Sequence, residues 1–238
     1  PKDDIPDIAA KVPEKRFKRR VSDLQIPESE FARGRLKLLD ADKTLHGHAT
    51  RAALKMMASD QLKAFNVMDE AASVRDPFGD SPFGRGCLAA ARLVEVGVRC
   101  VEVTLQGWDS HLNNHETQKA RAETLDPAFA SLIRYLHERE LLDDTIVICG
   151  GEFGRTPKIN PSGGRDHWPH GFTIAMAGGG IAGGRVIGET SPEPSPEGKG
   201  KDKTKNVKDP QQVANIHATV LKTLGIDLEE ERRKKGRR

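Results

Sequence analysis

Apolar positions recur along this chain at two spacings, and the two alternate. Leu125, Phe129, Leu132 and Leu136 follow one another at i, i+4, i+7 and i+11, the stripe of an amphipathic helix. Asp126-Pro127 lies inside that stripe and suits an N-cap and first-turn proline, so the segment reads as two helices with a kink. Cys87, Leu88, Ala91 and Val94 share a second helical face, entered through Pro82-Phe83-Gly84-Arg85-Gly86 and stopped by Gly97. Val213, Ile216, Val220 and Leu224 make a last amphipathic helix, and short helices fit residues 23–39 and 50–67. Between these lie strand-like runs. Residues 98–105 are rich in β-branched side chains, 145–149 is wholly apolar as in a strand buried on both faces, and 172–177 is a third run. A short strand at 185–187 completes the set.

Helix, strand, helix, strand, loop, strand, helix predicts an α/β layer with a largely parallel sheet. Its strands at 98–105, 145–149 and 172–177 are expected to be neighbours, with a helix over 117–139 packed on one face. Residues 1–44 read as a polar extension with short helices, 45–226 as the α/β domain and 227–238 as a charged tail. The stretch 190–208 is Pro, Lys, Glu and Gly; it has little to bury against its ordering entropy and is expected to be mobile, as are the last eight residues.

Charge narrows the partners. Of the formal net charge of +3, residues 231–238 supply +5 and residues 1–20 supply +3, which leaves −5 on residues 21–230. The body is mildly acidic and the basic ends read as solvated tails, not as a nucleic-acid arm. Mean hydropathy is −0.58 and no apolar run approaches the ~18 residues of a membrane-spanning helix. Pro1 opens a polar stretch unlike an export signal. Cys87, Cys100 and Cys149 have no CxxC spacing, which excludes a zinc knuckle; Cys100 and Cys149 sit in apolar runs and are expected to be buried thiols.

Ligands gather at the carboxyl ends of strands in open α/β sheets. Two such ends carry metal-capable side chains here: Asp109, His111 and His115 after the first strand, and Glu152, Asp166, His167 and His170 after the second. Imidazole with carboxylate suits zinc, manganese or iron better than calcium. Each residue also has a plainer role: Asp109 and Asp166 as caps, His115 and His170 as surface histidines, Trp108 and Trp168 as packing. His46, His48, His137 and His217 read as solvated side chains. Arg155 and Arg165 stand beside both clusters and suit bidentate capture of a phosphate or sulfate, or pairing with a neighbouring carboxylate. Gly178 to Gly184 lacks the Gly-Lys-Ser/Thr of a phosphate loop and reads as a turn between strands.

The strings Phe83-Gly84-Arg85-Gly86-Cys87-Leu88, Val101-Glu102-Val103-Thr104, Gly107-Trp108-Asp109-Ser110-His111, Gly151-Glu152-Phe153-Gly154-Arg155-Thr156-Pro157 and Gly164-Arg165-Asp166-His167-Trp168-Pro169 resemble the bacterial domain-of-unknown-function family 1501. The resemblance covers about residues 45–226. That family is grouped with the alkaline phosphatases and sulfatases, which implies a three-layer α/β sandwich and a two-metal hydrolase scaffold. It implies Asp109 and His111 as a mid-chain ligand pair, Glu152 in the place of the aspartate of an Asp-His pair, and His167 as a late histidine ligand. Two departures stand out. Phe153 occupies the place of that pair's histidine, and no Ser, Thr or Cys follows an early strand; Cys87, Cys100 and Cys149 do not fit the C/S-x-P-x-R string of sulfatases. The family's proteins are longer at the N-terminus and commonly exported, so the chain reads as the C-terminal part of such a protein, its sandwich incomplete at the N-terminus.

The expectation is a metal-dependent hydrolase of sulfate or phosphate esters, small or polysaccharide, without its nucleophile segment. Its ligands are Asp109, His111, Glu152, Asp166 and His167, its metal zinc or manganese, and its anion clamps Arg155 and Arg165. The alternative is a non-catalytic protein that keeps the fold for binding or assembly with a decayed site.

Overall fold

The computed structural model describes residues 10–35, 45–190 and 207–226. Helices α1 (Glu14–Arg35) and α2 (Leu45–Met57) come first, followed by 3-10 turns at Asp60–Phe65, Val67–Asp69 and Asp76–Phe78 around the single-turn α3 (Ala72–Arg75). Helices α4 (Pro82–Glu95) and α5 (Asn114–Glu138) form the centre, and α6 (Val213–Thr223) comes last. The strands are short: β1 (Val147–Gly150), β2 (Gly154–Arg155), β3 (His167–Trp168), β4 (Ile174–Ala177), β5 (Glu189–Thr190) and β6 (Val207–Lys208).

The core is built where α4 crosses α5. Ser81 caps α4, its Oγ accepting from the Gly84 N–H at 2.9 Å, and the helix buries Cys87, Leu88 and Ala91. These pack on Ala128, Tyr135 and Leu136 of α5 and on Val67 and Phe78 from the 3-10 turns. Ala91 and Ala128 are fully buried, and such small side chains let helix axes approach closely. Of the predicted stripe only Leu136 is buried, with Leu132 packed against the core and Leu125 and Phe129 half-buried; the buried face of α5 is turned toward Ala128, Ser131 and Tyr135, and the helix runs through Pro127 as one element, not two. Polar contacts fix the rim. Tyr135 donates its hydroxyl to Glu95 at 3.1 Å, Arg139 pairs with the same carboxylate at 3.2 Å and stacks over the Tyr135 ring, and Ser131 bonds the Pro77 carbonyl at 2.7 Å. On the other side Arg92 donates to the Lys63 and Asn66 carbonyls and pairs with Glu70, clamping the 3-10 turns to α4.

The expected parallel sheet is absent from the described residues. Three two-stranded antiparallel ladders take its place, β1 with β4, β2 with β3 and β5 with β6. The runs at 145–149 and 172–177 are neighbours, with Val147 opposite Ala177 and Gly150 opposite Ile174, but they run in opposite directions. Residues 98–105 join no ladder. Val101, Val103 and Leu105 are half-buried while Glu102 and Thr104 are exposed, and Val103 packs against the core cluster. Packing on the core therefore sets the two-residue period of this run, with no adjacent strand among the described residues to take its backbone hydrogen bonds.

Residues 185–187 are likewise no strand, and Val186 is almost fully exposed. Most of the loop expected over 190–208, the final eight residues and most of the expected ends of the 1–44 extension lie outside the described residues; α1 occupies much of what is described there. The helix expected over 50–67 starts earlier, as α2, and ends before the 3-10 turns. Among the described residues no helix is long and apolar enough to cross a membrane.

Cysteine burial differs from expectation. Cys87 is the buried thiol, Cys149 is half-buried and Cys100 is exposed, because the unladdered 98–105 segment covers only one of its faces. Burial pushes the Cys87 thiol up to about 12 and raises Cys149 as well.

Thiol labelling of the native protein at neutral pH is expected to modify Cys100 first and Cys87 only on unfolding; fast labelling of Cys87 would place α4 outside the core. Leu136→Ala, at a side chain 1% exposed, is expected to cost about 2–5 kcal/mol in denaturant unfolding, far more than Leu112→Ala, whose side chain is 62% exposed.

Candidate metal centre

The site lies where two loops meet. The first, residues 106–113, enters α5 and is pinned from below: Gln118 donates to the Trp108 carbonyl at 3.0 Å and to Ser110 Oγ at 2.8 Å, and buried Ser110 donates to Asn114 at 2.8 Å. The second runs from β2 to β3 through a turn organised by Asn160, whose side-chain oxygen accepts from the Ser162 and Gly164 amides at 3.0 and 2.9 Å.

Backbone contacts lock one loop on the other. Arg165 N–H bonds the Ser110 carbonyl at 3.0 Å, Asn114 N–H bonds the Gly163 carbonyl at 2.9 Å, and Leu112 bridges Gly163. Gly164 lies so close to His111 that a Cβ there would meet the His111 carbonyl carbon and oxygen at 1.9 Å. Only glycine fits.

This docking converges on one atom. Asp109 Oδ1 stands 3.0 Å from His111 Nε2 and 3.0 Å from His167 Nε2, and it also accepts from Arg155 Nη1. Arg155 and His167 face each other across the β2–β3 ladder, so cross-strand pairing aims both at the same oxygen. His111 Nδ1 stands 3.0 Å from Asp166 Oδ1, and Asn160 Nδ2 holds that oxygen at 3.2 Å and the His111 carbonyl at 3.1 Å. The His111 and His167 rings are 5.0 Å apart, and the Phe153 ring packs on His167 at 4.4 Å.

Hydrogen bonds from His167 and then from Arg155 hold the Asp109 carboxyl below its ordinary value of 3.8, and His111 and Asn160 do the same for Asp166. Both carboxylates are therefore anionic at neutral pH. His111 stands with a carboxylate against each ring nitrogen. Carboxylate on one ring nitrogen and an open coordination position on the other is how proteins orient metal-binding histidines.

The expected ligands separate into those that meet and those that do not. Asp109, His111 and His167 offer one ligating atom each, all within 4.8 Å of one another, and all three are exposed, so solvent has access to the position between them. Asp166 stands behind His111. Glu152 reaches only Arg155 Nη2, at 3.4 Å, and is 62% exposed, at the edge of the group. Arg155 is central, not peripheral: its side chain is 16% exposed and bridges Asp109 and Glu152. Arg165 is committed elsewhere, donating to the Thr156 and Pro157 carbonyls at 2.6 and 2.8 Å, and so acts as a brace for the loop. His115 is an exposed residue of α5, and His170 stacks edge-on to Trp168 at 5.6 Å.

Sequence reasoning did not find Asn160. Its signal is the Asn160-Pro161 step, a turn former placed ahead of Gly163-Gly164, but nothing in the sequence ties that turn to His111.

The family described as "Protein of unknown function (DUF1501)" matches residues 6–238. No curated protein and no solved structure matches the chain.

The lowered carboxyls give the loop junction an acid limb. A carboxylate whose value falls on folding stabilises fully above about pH 4, its unfolded range, and loses that contribution as pH falls through the lowered value. Amide protection across Arg165–Ser110 and Thr156–Asp166 is expected to hold down to about pH 4 and to fall below it. The double variant D109N/D166N is expected to lose that dependence, and a wild-type protein with flat protection to strongly acid pH would remove the role given to these groups.

Proposed function

The chain belongs to the DUF1501 family, and we propose that Asp109, His111 and His167 hold a divalent metal, zinc or manganese, in a site that acts on sulfate or phosphate esters. The observation that carries this reading is the meeting of three ligating atoms within 4.8 Å with an arginine on the same carboxylate. Two imidazoles and one carboxylate fit zinc, manganese or iron, and solvent exposure leaves room for a further ligand, as a catalytic site requires. The likeness to alkaline phosphatases and sulfatases, with a three-layer α/β sandwich for the family, is part of the same proposal.

Each residue then has a task. Asp166 accepts from His111 Nδ1 and so keeps Nε2 turned toward Asp109. His167 is held by its place in β3 and by the Phe153 ring. A bound metal would supply Lewis acidity toward an ester oxygen and lower the pKa of a bound water. Arg155, which now lies on Asp109, would offer its guanidinium to the anionic oxygens of an ester were a metal bound there. Glu152 pairs with the other end of Arg155 and would help to orient it.

A second reading, a binding protein with a decayed site, draws support from Arg155 lying on the Asp109 oxygen and from Phe153 covering one side of His167. The two differ in metal occupancy and in turnover, not in architecture.

Calorimetric titration with zinc and with manganese is expected to give about one ion per chain, abolished in H111A/H167A and retained in E152A. D166N is expected to weaken binding roughly 10–100-fold, as loss of a partner that orients a histidine ligand does. No binding by zinc, manganese or iron would overturn the metal centre. Bound metal without hydrolysis of aryl sulfate or aryl phosphate esters would favour the second reading.

A further inference from the structure

Arg155 is held more closely than the two carboxylates it joins. Its side chain is 16% exposed, against 59% for Asp109 and 62% for Glu152. Nη1 lies on Asp109 Oδ1 and Nη2 reaches Glu152 Oε1 at 3.4 Å, so carboxylates from separate segments close on one guanidinium. Its backbone sits in β2 opposite His167, and its guanidinium carbon stands 5.5 Å from the centre of the Phe153 ring. A planar fork held in this way has little freedom to leave Asp109.

The oxygen it meets is oversubscribed. Asp109 Oδ1 also stands 3.0 Å from His111 Nε2 and 3.0 Å from His167 Nε2, whereas a carboxylate oxygen offers about two lone-pair sites. The two imidazoles belong with Asp109 to the candidate ligand set; of the three neighbours the guanidinium alone is no ligand. A lone pair that accepts a guanidinium proton is not open to a metal. Arg155 also places a permanent positive charge beside that position, which opposes a second cation by Coulomb repulsion. Both effects have the same sign.

We propose that Arg155 is a built-in competitor for the metal: its guanidinium occupies Asp109 in the empty site and so sets how much metal is needed to fill it. The inference rests on the metal reading of Asp109, His111 and His167 and adds a control on that site. The same guanidinium is engaged on Asp109 when the site is empty and is open to an anion only when it is filled. Metal occupancy and anion capture are thereby coupled through one side chain.

The test is zinc titration of the whole chain by calorimetry, repeated for Arg155→Met, Arg155→Gln and Lys158→Met. Loss of the guanidinium is expected to tighten zinc binding about 5–150-fold, the ordinary size of a coupling between two binding events. Lys158→Met removes an exposed positive charge from the same hairpin and is expected to change affinity less than about twofold, because exposed charges are screened. Amide protection across Arg165–Ser110 reports whether each variant keeps the docked hairpin. A second readout needs no variant. On zinc addition to the wild type, the Arg155 Nη protons are expected to exchange faster with water by nitrogen-edited NMR, while those of Arg165, bonded to the Thr156 and Pro157 carbonyls, stay slow. A charge effect without competition would leave Arg155 exchange unchanged. Zinc binding no tighter in Arg155→Met and Arg155→Gln than in Lys158→Met, or unchanged Arg155 exchange on filling, would overturn the proposal and leave the metal centre standing. No binding of zinc, manganese or iron by any of these proteins would overturn both.

Discussion

One carboxylate oxygen, Asp109 Oδ1, gathers His111, His167 and Arg155 from segments that are far apart in sequence. Three basic side chains around one anion form a constraint that neither loop can meet alone. The loop before α5 supplies the carboxylate and one imidazole, and the β2–β3 hairpin supplies the other imidazole and the guanidinium. The hairpin is only two residues deep on each strand, too small to be stable in water by itself. Its position comes from Arg165, Asn160 and Gly164 seated on the backbone around Ser110 and His111, with the charged group as the common centre. Exposed ion pairs contribute little each, so the backbone lock supplies the register and the charges supply the purpose.

The helical core explains why the loop before α5 can serve as a platform. α5 is anchored on α4 through Ala128, Tyr135 and Leu136, and its first turns reach back through Asn114 and Gln118 to hold Ser110 and Trp108. The helix thus carries the functional loop at its start, while β1 packs on the core through Val147 and the β2–β3 ladder presents Arg155 and His167.

How much of this was legible in the sequence depends on the range of each interaction. The apolar stripes of α4 and α5 were visible because helical period and burial are local properties. The short strand around 147 was visible for the same reason. Strand direction was not: an apolar run reads alike in a parallel and an antiparallel pair, and the alternation at 98–105 records packing on a core, not a ladder. Asp109, His111, Asp166 and His167 stood out as residue types at predicted chain reversals. Asp166 as a partner of His111 and Arg165 as a backbone brace could not be separated from ligands or anion clamps, since only the docking of the two loops decides which neighbour each side chain meets.

The most direct measurement is nitrogen-edited NMR of the imidazole rings during a zinc titration. Of the eight histidines, His111 and His167 should move to the state with metal on Nε2, and His111 should keep its Nδ1 proton toward Asp166. The other six should keep their metal-free signals at one equivalent. If zinc shifts other histidines first, or leaves His111 and His167 unchanged, Asp109 is the centre of a loop junction and not of a metal site.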